Sequence, residues 1–154
     1  KGVFYPLQTF SWERKVDFNE LPILLESSDI QSSAMLQNLA VSLGGKTYFV
    51  STEQRMMIHL SAVFICNFTN HLLTEGKQVA LKAGLPFEIL YPLLKETILK
   101  AMDIGPEKSQ TGPAMRNDQN TIEKHLELLS FSPELKKIYS EITMSIIKYY
   151  KDKS

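Results

Sequence analysis

The stretch LPILLESSDIQSSAMLQNLAVSLGGKTYFVS, Leu21–Ser51, decides the fold. Leu21–Ser27 is a compact apolar run and reads as a buried strand. The period then changes. Ser28 or Asp29 can cap a helix in which Met35, Leu36, Leu39 and Leu43 recur at i, i+3/i+4 spacing, and Gly44-Gly45 closes it. Lys46–Ser51 follows as a second short strand, rich in β-formers. Strand, helix, strand predicts a βαβ unit with parallel strands. Two strands do not make a stable sheet, so the missing strands are expected upstream of Lys1.

Upstream lies KGVFYPLQTF, Lys1–Phe10, short, aromatic and broken by Pro6. It has no initiator methionine and no polar leader, and reads as the continuation of a larger protein. Downstream of Ser51 the strand signal stops. Ser51 or Thr52 can cap a long helix in which Met56, Leu60, Val63, Phe64, Phe68 and Leu72 form a stripe, with a bend at Gly76 and an end at Gly84-Leu85-Pro86. A second helix starts near Pro92 and stops at Gly105-Pro106. A third begins after Asn117 or Asp118. A fourth begins at Ser132-Pro133-Glu134 and carries Leu135, Ile138, Tyr139, Ile142, Ile146 and Tyr149 on one face. The polar tail Lys151–Ser154 is expected to fray. The pattern therefore predicts the end of an α/β sheet over 1–51 and an all-α region over 52–154.

Composition narrows the function classes. The chain has 154 residues, 44% hydrophobic and 22% charged, with 17 basic and 17 acidic side chains. That balance argues against a nucleic-acid or anionic-membrane partner. No apolar run reaches the roughly 18–20 residues of a membrane span. No signal peptide is visible, which predicts a cytoplasmic protein. Cys66 is the single cysteine and sits in an apolar run, as a buried small hydrophobe would in a reducing compartment. His59, His71 and His125 are dispersed, so no metal site is predicted. There is no GxGxxG, P-loop or GxSxG.

Three polar features stand out from the apolar background. Gln8, Thr9 and Ser11 cluster just past a strand end, where open α/β sheets bind ligands; a solvated turn is the simpler alternative. His59 and Asn67 lie eight residues apart on the long helix. In an α-helix that is about 80° of rotation and roughly 12 Å of rise. They cannot touch, but they could line one cleft, or merely be a half-buried His and an Asn in a helix–helix bond. Last, Gly112-Pro113 forms a turn before Arg116 and the third helix. Asp118 or Asn117 can cap that helix, while Arg116 beside its N–H groups could hold a carboxylate or phosphate.

YPLQTFS (Tyr5–Ser11), IHLSAVFICNF (Ile58–Phe68) and TGPAMRNDQNTIEKHLELL (Thr111–Leu129), in this order and spacing, resemble the C-terminal part of a bacterial oxidoreductase family. Its members pair a Rossmann-like NADP-binding domain with an all-helical domain of unknown function. The family usually has His where Tyr5 stands, Tyr where Ile58 stands, and Gly where Asn117 stands; Asn117 still suits a positive-φ turn. Larger relatives resemble pyrroline-5-carboxylate reductase and 6-phosphogluconate dehydrogenase. Some carry a lysine four residues before the Asn of the long helix, where this chain has Val63.

The resemblance implies a mainly α fold: a helical domain like the 6-phosphogluconate dehydrogenase C-terminal domain over 52–154, after the last βαβ portion of a Rossmann-like domain over 1–51. It implies NADP, bound mainly by residues upstream of Lys1, and a small-molecule substrate. It implies a homodimer formed through the helical domain. His59 would donate or accept a proton and Asn67 would hydrogen-bond substrate. Arg116 would clamp an anionic group beside Asp118, in a turn shaped by Gly112 and Pro113, as the third wall of one cleft. Gln8, Thr9 and Ser11 would lie near the nicotinamide. A non-catalytic dimerisation or nucleotide-sensing module is the alternative.

Overall fold

β2 (Pro22–Ser27) is the central strand of a three-stranded sheet. The computed structural model describes residues 1–151, so only Lys151 of the polar tail lies within it. Ile23 and Leu25 are fully buried, and Leu24 between them is buried on the other face. A strand covered on both faces reads as a continuous apolar run rather than an alternation. β3 (Lys46–Phe49) pairs with β2 in parallel, Pro22 opposite Lys46 through Leu25 opposite Phe49. β1 (Gly2–Pro6) pairs on the other side, antiparallel, Gly2 opposite Ser27 through Pro6 opposite Ile23. One further strand beside β2 is thus the aromatic stretch Gly2–Pro6, within this chain rather than upstream of it.

α1 (Ile30–Ser42) connects β2 to β3. Asp29 is its N-cap: the carboxylate accepts from the Ser32 N–H at 2.7 Å and from the Ser32 hydroxyl at 2.8 Å. Its end is a Schellman motif. Gly45 N–H donates to Ala40 C=O (3.0 Å), Gly44 N–H donates to Val41 C=O (2.9 Å), and Gly44 has φ +83°. Gly45 serves a second purpose, because a Cβ there would lie 2.4 Å from Ile23 Cδ1. The buried face differs from the expected stripe. Met35, Leu39 and Leu43 stay exposed, while Ala40 is fully buried and Leu36 packs against the core that Ala40 shares with β2. A small residue at the point of closest approach lets the helix backbone sit near the sheet.

α2 (Thr52–Ala62), a π-helical segment (Val63–Phe68) and α3 (Thr69–Lys82) run on as one helix of 31 residues. A capping box starts it: Ser51 Oγ accepts from Gln54 N–H at 3.2 Å, and Gln54 Oε1 accepts from Ser51 N–H at 2.9 Å. The helix passes through Gly76 unbroken, so the irregularity lies in the π segment and not at the predicted bend. Met56, Leu60, Phe64, Phe68 and Leu72 of the predicted stripe are 41–63% exposed. The membrane reading also needs correction. By length and composition this helix is apolar enough to cross a membrane; His59, Ser61 and Asn67 interrupt the run in sequence without lowering its average enough to fail.

The chain divides into two compact units, Lys1–Thr74 and a second beginning at Glu75, so the division falls inside the long helix. In the second unit a 3₁₀ turn (Phe87–Leu90) leads into α4 (Tyr91–Ile104), with Pro92 in its first turn. Gly105, at φ +88°, separates α4 from the short α5 (Pro106–Ser109). α6 (Gln119–Leu128), a 3₁₀ turn (Leu129–Phe131) and α7 (Pro133–Lys151) follow. Among the described residues, Ala114, Ile122, Leu129 and Leu135 are its buried apolar side chains. His125 Nδ1 and the Tyr139 hydroxyl, 2.8 Å apart, tie α6 to α7.

Candidate functional site

The alternation along β1 creates the site. Phe4 packs on the Ile23–Leu25–Ala40 core, so Tyr5, the next residue, points to the opposite face of the sheet. There its hydroxyl lies 2.9 Å from His59 Nδ1, and the two rings meet edge-to-face at 6.2 Å and 81°. Beyond Pro6 the backbone turns: Leu7 N–H donates to Pro22 C=O, and Gln8 Oε1 accepts from Thr9 N–H at 2.8 Å.

Tyr5, Gln8, Thr9, His59, Cys66 and Asn67 all line one cavity of about 480 Å³ in the first unit. The π segment explains how His59 and Asn67 share it. A π turn absorbs one extra residue, so positions eight apart behave as if seven apart, about 20° from alignment instead of about 80°. Cys66, expected to be a buried hydrophobe, is half-buried and faces this cavity. Ser11 does not line it and lies in the exposed loop beyond.

Tyr5 and His59 also form a wall of a second cavity of about 540 Å³, lined by Arg55, Met56, Met57, Leu60 and Val63. Arg55 is engaged elsewhere: its Nε donates to Glu26 Oε2 at 3.3 Å, and the Thr52 hydroxyl donates to Glu26 Oε1. The Thr52 hydroxyl above all, then Arg55, holds the Glu26 carboxyl below its ordinary range.

The carboxyl ends of β2 and β3 open onto a third cavity of about 720 Å³, whose lining includes Glu26, Ser27, Ser33, Ser51, Thr52 and Glu53 and no Lys or Arg. Two carboxylates and a helix start already capped by Ser51 do not fit a diphosphate. Gln8 and Thr9 are neutral hydrogen-bonding groups of a kind that fits a carboxamide. Among the described residues no cluster of three His, Cys, Asp or Glu could hold a metal.

Arg116, Gly112, Pro113 and Asp118 lie in the second unit. Gly112 has φ +104° and Asn117 φ +52°, so Asn117 takes the left-handed position and Asp118 becomes the N-cap of α6. Asp118 accepts from the Thr121 hydroxyl (2.7 Å) and the Thr121 N–H (3.1 Å). Arg116 makes no ion pair among the described residues. Hydrogen bonds from Thr121, first the hydroxyl and then the N–H, lower the Asp118 carboxyl below its ordinary value, with Arg116 and Lys124 adding to this. A lowered folded-state value means that Asp118 stabilises fully above the usual carboxylate pKa of about 4. That contribution is lost as pH falls through the lowered value. Asp118→Asn keeps a capping oxygen. It is expected to lower the melting temperature modestly at pH 7, where the charged Asp118 contributes, and to shrink the drop between pH 7 and pH 3; an undiminished drop would contradict this.

Two features escaped the sequence reading: the Tyr5–His59 bond and the π segment. Tyr5 stood out only as a departure from the family pattern, and π turns leave no simple periodic signal.

Residues 21–146 match the family model described as domain of unknown function DUF2520. Among solved structures, "putative NADP oxidoreductase BF3122" from Bacteroides fragilis is 42% identical, with a TM-score of 0.90 over 96% of this chain and 57% of that one. Protein TM1727 from Thermotoga maritima is 22% identical, with a TM-score of 0.76 over 99% of this chain and 62% of that one, a likeness of fold alone. The chain thus spans less than two thirds of either relative. No curated protein matches.

Proposed function

The chain belongs to the DUF2520 family, and from that premise we propose that it is the substrate-binding part of an NADP-dependent oxidoreductase. One observation carries the reading: the motif residues Gln8, Thr9, His59 and Asn67 line a single cavity at the end of β1. The Bacteroides fragilis relative's name supports NADP as the cofactor. The substrate class is a small carbonyl, imine or hydroxy compound.

NADP, when bound, carries the hydride, and the protein supplies orientation and a proton. His59 gives or takes that proton. Asn67 offers an amide to orient the reacting group, and Gln8 and Thr9 hold the nicotinamide end. Arg116, in the turn before α6 in the second unit, binds an anionic group through its fork. The helical residues correspond, on this reading, to the C-terminal domain of 6-phosphogluconate dehydrogenase.

Val63 favours a second reading, a module that binds nucleotide without turnover, because some related dehydrogenases have a lysine at this place. Full-length protein mixed with NADPH and a panel of small keto and imino acids separates the two. The oxidoreductase reading expects one of them to be reduced with NADPH consumed, and Arg116→Ala to weaken its affinity. NADPH binding with no consumption across the panel would favour the module.

A further inference from the structure

Among the described residues, Tyr5 is the side chain hydrogen-bonded to His59. The contact joins β1 to α2 within one unit, at 2.9 Å from hydroxyl to Nδ1. His59 Nε2 has no hydrogen bond among the described residues, while the ring lines both cavities. The other titratable or charged groups lining those cavities are Arg55, already paired with Glu26, and Cys66. The imidazole is therefore anchored at one nitrogen and open at the other.

We propose that Tyr5 is a positioning residue for His59: its oxygen accepts the Nδ1–H and leaves Nε2 as the atom that exchanges a proton with substrate. This rests on the oxidoreductase reading for its catalytic consequence, though not for its geometry. In the reducing direction the imidazolium Nε2–H bond breaks and the new O–H or N–H bond forms on substrate. The electron pair of the broken bond stays on Nε2, and the hydride for the substrate carbon comes from NADPH. Nδ1–H remains on the Tyr5 oxygen throughout, so the ring needs no reorientation between the two protonation states. In oxidation the same Nε2 lone pair receives the proton. An aromatic tether serving only to hold β1 against α2 would not require the Nδ1–H form.

The tautomer is measurable without any substrate, since the two ring nitrogens have distinct ¹⁵N shifts. In the full-length protein, neutral His59 is expected as the Nδ1–H form. In Tyr5→Phe it is expected to move toward the Nε2–H form that free imidazole side chains favour, with the melting temperature nearly unchanged. Turnover of Tyr5→Phe should fall at least about tenfold in kcat with KM little altered, as expected when a transition-state proton donor is misaligned. Tyr5→His, which offers a ring acceptor in place of the hydroxyl, should recover part of that loss. A wild-type Nε2–H form, or a tautomer indifferent to Tyr5→Phe, overturns the proposal whatever the activity. If the tautomer shifts as expected but His59→Ala turns over normally, the positioning contact stands and the role of His59 in the proposed reaction fails.

Discussion

Replacing His59 by alanine is expected to lower kcat about 10²–10⁴-fold, the span over which a positioned proton donor contributes. Few other outcomes would be as informative, because the side chain is exposed and its loss should leave the helix intact. The one partner bond it gives up, to Tyr5, contributes on the order of 1 kcal/mol. Steady-state kinetics with the substrate that consumes NADPH, alongside a thermal melt, separates the two effects. The expected pattern is a collapse in kcat, a modest change in KM and a small change in melting temperature. Activity within a few-fold of wild type would remove His59 from the chemistry.

The largest expected effect on stability comes from Ile23→Ala. Ile23 is fully buried at the centre of β2, and the core around it is small: Leu25 and Ala40, with Phe4 and Leu36 against them. Removing an Ile side chain to Ala in such a place costs about 2–5 kcal/mol, through lost transfer energy and the cavity left behind. Little can relax to refill it, because Ala40 is already the close contact of α1 and the backbone of Gly45 abuts Ile23. Denaturant titration should show the midpoint falling with the slope preserved. A loss under about 1 kcal/mol would mean that the sheet does not depend on this core. The effect reaches function as well, since the β1–β2 register that sets Phe4 inward is the same register that turns Tyr5 toward His59.

Much of the fold was legible because it rests on local chemistry. β2 announced itself as an unbroken apolar run, α1 through Asp29 and the Gly44-Gly45 pair, and the long helix through Ser51. What sequence could not give was pairing and phase. Nothing in GVFYP states that it lies antiparallel to β2, because strand direction is set by long-range register. The stripe on α1 was drawn through its largest side chains, whereas the buried face runs through Ala40, a residue chosen for its smallness. At the site, motif spacing located His59 and Asn67, but an ideal α-helix would splay them. The π segment that brings both to one cavity depends on a backbone irregularity with no period to read. Tyr5 shows the same limit: its contact with His59 depends on which face of β1 it occupies, and that follows only once the sheet is built.

The proposed role of this cavity is hydride chemistry with NADP. The most direct measurement follows deuterium from C4 of specifically deuterated NADPH into the reduced product, using full-length protein and the keto- and imino-acid panel. The account predicts label on one carbon of one product, from one face of the nicotinamide only, at a rate that drops sharply in His59→Ala. A protein that binds NADPH tightly yet transfers no deuterium to any member of the panel would contradict it.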